Sequence, residues 1–114
     1  MDITKEEIIE INRSLGGSLG SDSSIDFALS AGKERGLYWR IALLWRAILV
    51  DHPFTDVNKR TALNAAFLLF ERNNIKLNGE SKERITKNVL EVAKKNITSI
   101  KNIERRIRYA VEGH

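Results

Sequence analysis

Residues 62–70, ALNAAFLLF, hold eight apolar side chains in nine, with only Asn64 polar. A helix that is apolar on most of its circumference has to be surrounded by other elements. The small residues Ala62, Ala65 and Ala66 let neighbours come close. Phe67, Leu68, Leu69 and Phe70 supply bulk, and burying each contributes about 1.5–3 kcal/mol. Elsewhere apolar residues recur at intervals of three and four, and no Val/Ile/Thr-rich alternating run bounded by turns is present. The chain is therefore expected to be all-α: a single domain over residues 1–114, built as a compact bundle of about six helices around a central buried helix. A length of 114 residues suits one modest core.

The boundaries follow from caps and breakers. Thr4-Lys5-Glu6-Glu7 is a capping box that opens a first helix with Ile8, Ile9 and Ile11 on its apolar face. That helix fades near Leu15, before Gly16-Gly17. Residues 14–23, SLGGSLGSDS, read as a connector: they lack the Gly-Lys-Ser/Thr ending of a phosphate-binding P-loop, and no strand precedes them. A second helix is expected from about Ser24 to Arg35, capped by Asp22 or Ser23 and ended by Gly36. A third spans about Leu37 to Val50, with Tyr38, Ile41, Leu44, Trp45, Ile48 and Leu49 at helical spacing. Trp39 and Trp45 read as packing residues rather than ligand-stacking ones. The fourth runs from about Val57 to Arg72 and stops at Asn73-Asn74. Ser81 is expected to cap a fifth, to about Lys95, and Thr98 a sixth, to about Val111.

Composition removes several classes of function. There are no cysteines, so a disulfide framework and a thiolate metal site are both excluded. Two histidines are too few for a histidine-based zinc site without several carboxylates. No apolar stretch is long enough to span a bilayer and no signal peptide is visible, which makes the cytoplasm the default location and a membrane an unexpected partner. Residues 76–108 carry ten Lys/Arg against four Asp/Glu, whereas residues 1–75 carry nine against ten. A basic C-terminal third is compatible with nucleic acid, but it reads more simply as a solvated helical surface, so nucleic acid is not the expected partner.

The chemistry-bearing residues cluster at HPFTDVNKRTALNAA, residues 52–66, just ahead of the apolar run. The first amides of a helix point outward unpaired, and the dipole adds partial positive charge, so such an end accepts anions. Lys59 and Arg60 in the first turn oppose that dipole at a cost of a few tenths of about 1 kcal/mol each, unless an anion sits there. A polyphosphate with Mg2+ satisfies the whole set. Asp56 would face the metal, Asn58 and the amides the non-bridging oxygens, and Lys59 and Arg60 the charge. His52, on the same rim, can take a proton from an attacking hydroxyl. The same spacing also accommodates an ordinary helix junction, with His52-Pro53 as a stop, Asp56 as an N-cap and Lys59/Arg60 solvated.

HPFTDVNKRTA resembles the signature of the Fic/Doc family, His-x-Phe-x-Asp/Glu-Gly/Ala-Asn-Gly/Lys-Arg. His52, Phe54, Asp56, Asn58, Lys59 and Arg60 match it in register. The similarity extends to TALNAAFLLFERN after the motif, to the helix before it, and to EEIIEIN followed by a Gly-Gly loop. It covers most of residues 4–76, and the continuation Asn-Lys-Arg-Thr-Ala is closest to the Doc-type toxins.

The resemblance implies the Fic fold, a helical bundle around the motif helix, and transfer of a phosphate-containing group from ATP or another nucleotide to a protein hydroxyl. It implies His52 as general base, Asp56 as Mg2+ ligand, Asn58, Lys59 and Arg60 on the phosphates, and Phe54 as core anchor. A flap that pairs with the target peptide would fall at about Ser30 to Tyr38. Two departures stand out. Val57 replaces a usual Gly or Ala, where a β-branched side chain is expected to narrow the anion nest or resist the backbone angles. Leu63 replaces the second arginine of nucleotidyl-transferring relatives, which points to kinase-like phosphoryl transfer rather than AMP transfer. No Ser/Thr-x-x-x-Glu-Gly/Asn inhibitory helix is present, so control is expected from a separate antitoxin. A catalytically degenerate binding module is the remaining alternative.

Overall fold

A computed structural model describes all 114 residues. Six helices follow one another: α1 (Lys5–Ser14), α2 (Ser23–Ala31), α3 (Leu37–Asp51), α4 (Asn58–Arg72), α5 (Gly79–Lys95) and α6 (Ile100–Glu112). There is no β-sheet, only one isolated antiparallel bridge between Leu19 and Phe54. No helix is long and apolar enough to cross a membrane.

The expected capping box forms: Glu7 N–H donates to Thr4 Oγ1 at 3.1 Å, and Thr4 N–H donates to Glu7 Oε1 at 2.9 Å. Other ends differ from the sequence reading. The cap of α5 is Asn78, whose Oδ1 accepts the Ser81 N–H at 2.7 Å, and Ser81 itself is buried inside the first turn. The cap of α6 is Ser99, not Thr98. Helix α2 stops at Ala31 rather than near Arg35, and its C-cap Gly32 packs close to α3. A Cβ there would lie 3.1 Å from Ala28 O and from Arg40 Cγ.

The most buried helix is α3 rather than α4. Eight of its residues are buried, and it packs against α2, α4, α5 and α6. In α4 the inward face is Thr61, Ala62, Ala65, Ala66, Leu69 and Phe70, whereas Phe67 and Leu68 remain half-buried against the core edge. Trp45 lies wholly inside and its Nε1 donates to Ala62 O at 3.1 Å, tying α3 to α4. Trp39 sits partly exposed under the Arg35 guanidinium, 4.2 Å from its ring centre. Both tryptophans are packing residues.

Glu7 also fastens α1 to α4 through a two-pronged ion pair with Arg72, one arm of which spans 2.8 Å. The Arg72 guanidinium, with the Thr4 amide, holds the Glu7 carboxyl down at about 2, against an ordinary 4.5. A depressed folded-state pKa contributes stability that is complete above the unfolded value and is lost as pH falls through the folded one. Wild type is therefore expected to lose melting temperature between about pH 4.5 and 2 more steeply than Glu7→Gln. Parallel curves in thermal melts would show that the pair contributes nothing.

Candidate functional site

The site is the connection between α3 and α4 plus the first turn of α4. Helix α3 ends at His52, whose backbone is left-handed (φ 50°, ψ 63°), and Pro53 prevents the helix from continuing. Phe54 then plunges into the core, 3% exposed, which anchors the loop as expected. Asn58 closes it: its Nδ2 donates to Phe54 O at 3.0 Å and its Oδ1 accepts the Phe54 N–H at 3.3 Å. The Asn58 side chain is thus committed to shaping the loop, and what it leaves for a ligand is chiefly its main-chain amide.

Asp56 is not the N-cap. That position is Val57, which makes no side-chain cap, while Asp56 Oδ1 accepts the Val57 N–H at 2.7 Å. The other carboxylate oxygen has no protein donor and remains available. The amides of Asn58, Lys59 and Arg60 likewise find no protein acceptor, and the first turn of α4 contains no acidic residue. Lys59 and Arg60 are exposed and take part in none of the ion pairs. His52, Asp56, Asn58, Lys59 and Arg60 all line one cleft of about 350 Å³, with Leu49 and Ala93 as its apolar wall. Free amides at a helix N-terminus and two unpaired cations lining one hollow are groups chemically suited to accept an anion. No group of three or more His, Cys, Asp or Glu could hold a metal by itself. A Mg2+ here would share Asp56 with the oxygens of a bound phosphate, the usual manner for that ion.

Val57 adopts φ 52° and ψ 34°, so the β-branch does not prevent the left-handed turn, though it strains it. Glycine there relieves roughly 1–2 kcal/mol of strain and returns about 0.5–1 as unfolded-chain entropy. Val57→Gly is therefore expected to leave stability within about 1 kcal/mol of wild type or to raise it, whereas Val50→Gly, in ordinary helix, costs about 2 kcal/mol or more. Chemical denaturation of both variants checks this, and equal losses would contradict it.

Two features escaped the sequence reading. Residues 18–21, not 30–38, form the extended segment beside the motif. Thr55 N–H donates to Ser18 O at 2.9 Å, and Gly20 and Ser21 N–H both donate to Pro53 O. Ser30–Tyr38 instead comprises the end of α2, a turn and the start of α3. It lies a helix length, about 22 Å, from His52. The second missed feature is Asn12 of α1, 1% exposed, whose Nδ2 reaches Asp56 O and Thr61 Oγ1.

A larger hollow of about 590 Å³ lies between α5 and α6, with Arg84, Lys87, Arg105 and Tyr109 in its wall. Most cations there are paired: Arg106 with Glu91 at 2.6 Å, Arg108 with Glu104 at 2.8 Å and Lys87 with Glu83 at 3.6 Å. That pattern fits a solvated helical face.

No family model matches this chain, and no curated protein matches it.

Proposed function

We propose that the chain is a Mg-ATP-dependent transferase of the Fic/Doc type, which moves the γ-phosphoryl of ATP onto a Ser, Thr or Tyr hydroxyl of a target protein. The observation that carries this reading is the single cleft that gathers His52, Asp56, Asn58, Lys59 and Arg60 around three unbonded amides. In this reading the amides and the two cations bind the triphosphate and neutralise charge that spreads over the phosphoryl oxygens. His52 takes the proton of the acceptor hydroxyl as the new O–P bond forms and the β–γ O–P bond breaks, with ADP as the leaving group. When bound, Mg2+ would supply further charge neutralisation, held by Asp56. The acceptor approaches along residues 18–20. Leu19 gives neither its N–H nor its C=O to a protein partner, so this edge is open to main-chain pairing beside Pro53–Thr55.

What flanks Arg60 supports the γ-phosphoryl as the transferred group. Leu63 is half-buried against the core and offers no second cation, while Lys59 adds charge at the outermost turn. An orientation with the β- and γ-phosphates deepest is thereby weakened, and one with the γ-phosphorus nearest His52 is favoured. Reversal changes the product without changing the catalytic residues. The chain is read as the toxin of a toxin–antitoxin pair, controlled by a separate antitoxin, because its motif resembles the Doc type.

Reactions with a cell extract and ATP labelled at the γ or the α position test this. Label is expected to enter protein from γ-labelled ATP alone. Entry from α-labelled ATP alone would replace phosphoryl transfer by AMP transfer. Binding of ATP without entry of either label would leave a non-catalytic module.

A further inference from the structure

We propose that Asn12 and Thr61 are positioning residues: a buried lock that holds the peptide groups on both sides of Val57 in the one orientation that turns their amides toward the cleft. The inference rests on the reading of that cleft as a nucleotide site and says what keeps the site open.

The lock is a short chain of donors. One carboxamide hydrogen of Asn12 goes to Asp56 O at 3.0 Å, and the other to Thr61 Oγ1 at 3.1 Å. The Thr61 hydroxyl, wholly buried, passes its own hydrogen to Val57 O at 2.8 Å. Asp56 O is thereby drawn toward the protein interior, and Val57 O, which also accepts the Thr61 N–H at 3.0 Å as the first backbone bond of α4, is held there twice. In a trans peptide the C=O and the N–H point in opposite directions, so the amides of Val57 and Asn58 must face the other way. The Val57 amide meets the Asp56 carboxylate and steadies it at the mouth. The Asn58 amide is left free. A valine does not hold a left-handed backbone unaided, and these bonds oppose its return to negative φ.

Two details argue that more than packing is at stake. Asn12 Oδ1 is buried with no partner, a loss that an apolar residue of the same size would avoid. The carboxamide cannot be reversed to satisfy it, because its oxygen would then face Asp56 O. Gly17 closes over the lock, donating its N–H to Asn12 O at 3.1 Å. A Cβ on it would stand 2.5 Å from Asn12 Oδ1 and 2.8 Å from Asp56 O. Gly17 is thus part of the device rather than a plain connector.

Thr61→Val removes the hydroxyl at nearly constant volume, and Thr61→Ser restores it. In calorimetric titration with Mg-ATP, Thr61→Val is expected to bind about tenfold more weakly, the effect of one lost hydrogen bond, and Thr61→Ser about as wild type. A crystal structure of Thr61→Val is expected to show Val57 turned to negative φ. Unchanged affinity with Val57 still left-handed would overturn the lock. If the unaltered protein binds no Mg-ATP, the reading of the cleft falls by itself. The backbone of Val57 in Thr61→Val then decides the lock alone, upheld by negative φ and overturned by positive φ. Should Thr61→Val not fold, hydrogen exchange in the unaltered protein substitutes. The Asn12 carboxamide protons are expected to exchange slowly, and rapid exchange would overturn the proposal.

Discussion

On the proposed mechanism His52→Ala is expected to lower the rate of transfer by about 10²–10⁴-fold, the usual contribution of a positioned general base. Its effect on folding is small, because His52 is exposed and its only structural duty is the left-handed end of α3. His52→Asn separates the two duties. Asparagine tolerates the left-handed region as well as histidine does. It has no basic nitrogen, so it is expected to fold as wild type and to be as inactive as the alanine variant. Initial rates with γ-labelled ATP check both, and a variant of undiminished rate would remove His52 from the mechanism.

Trp45→Ala has the largest expected effect on stability. The indole is wholly enclosed, and its N–H bridges to Ala62 O, two residues beyond Arg60. Truncation removes a large apolar surface, leaves a cavity at the α3–α4 contact and abandons a carbonyl, at a cost of about 3–5 kcal/mol. Against a total of about 5–15 kcal/mol, that loss takes up a large part of the margin. It also loosens the contact that sets His52 against the first turn of α4, so Mg-ATP binding is expected to weaken with it. Urea denaturation measures the first effect. A loss under about 1 kcal/mol would mean that Trp45 is not the pin between the two helices.

The same contacts explain which parts of the molecule could be read from its sequence. The helices were legible because each carries a local period of three and four, and the capping box at Thr4–Glu7 lies within four residues. Asn78 and Ser99 were misjudged because neighbouring polar residues compete for the cap, and the choice depends on where the chain enters the helix. The motif residues were legible as a set because they are contiguous. The duty of the Asn58 side chain was not, because it depends on how residues 54–58 fold back on themselves. The flap was assigned to residues 30–38 because nothing local shows that α2 and α3 run antiparallel, which carries that segment away from His52. Asn12 was not singled out, because only a contact across 44 positions gives it a role.

The most direct test of the account follows backbone and imidazole signals by nuclear magnetic resonance while Mg-ATP is added to the protein. The largest shifts are expected on the amides of Asn58, Lys59 and Arg60 and on the His52 ring, with little change at Arg105 and Tyr109. Shifts centred on the α5–α6 hollow, or none at the first turn of α4 under saturating nucleotide, would contradict it.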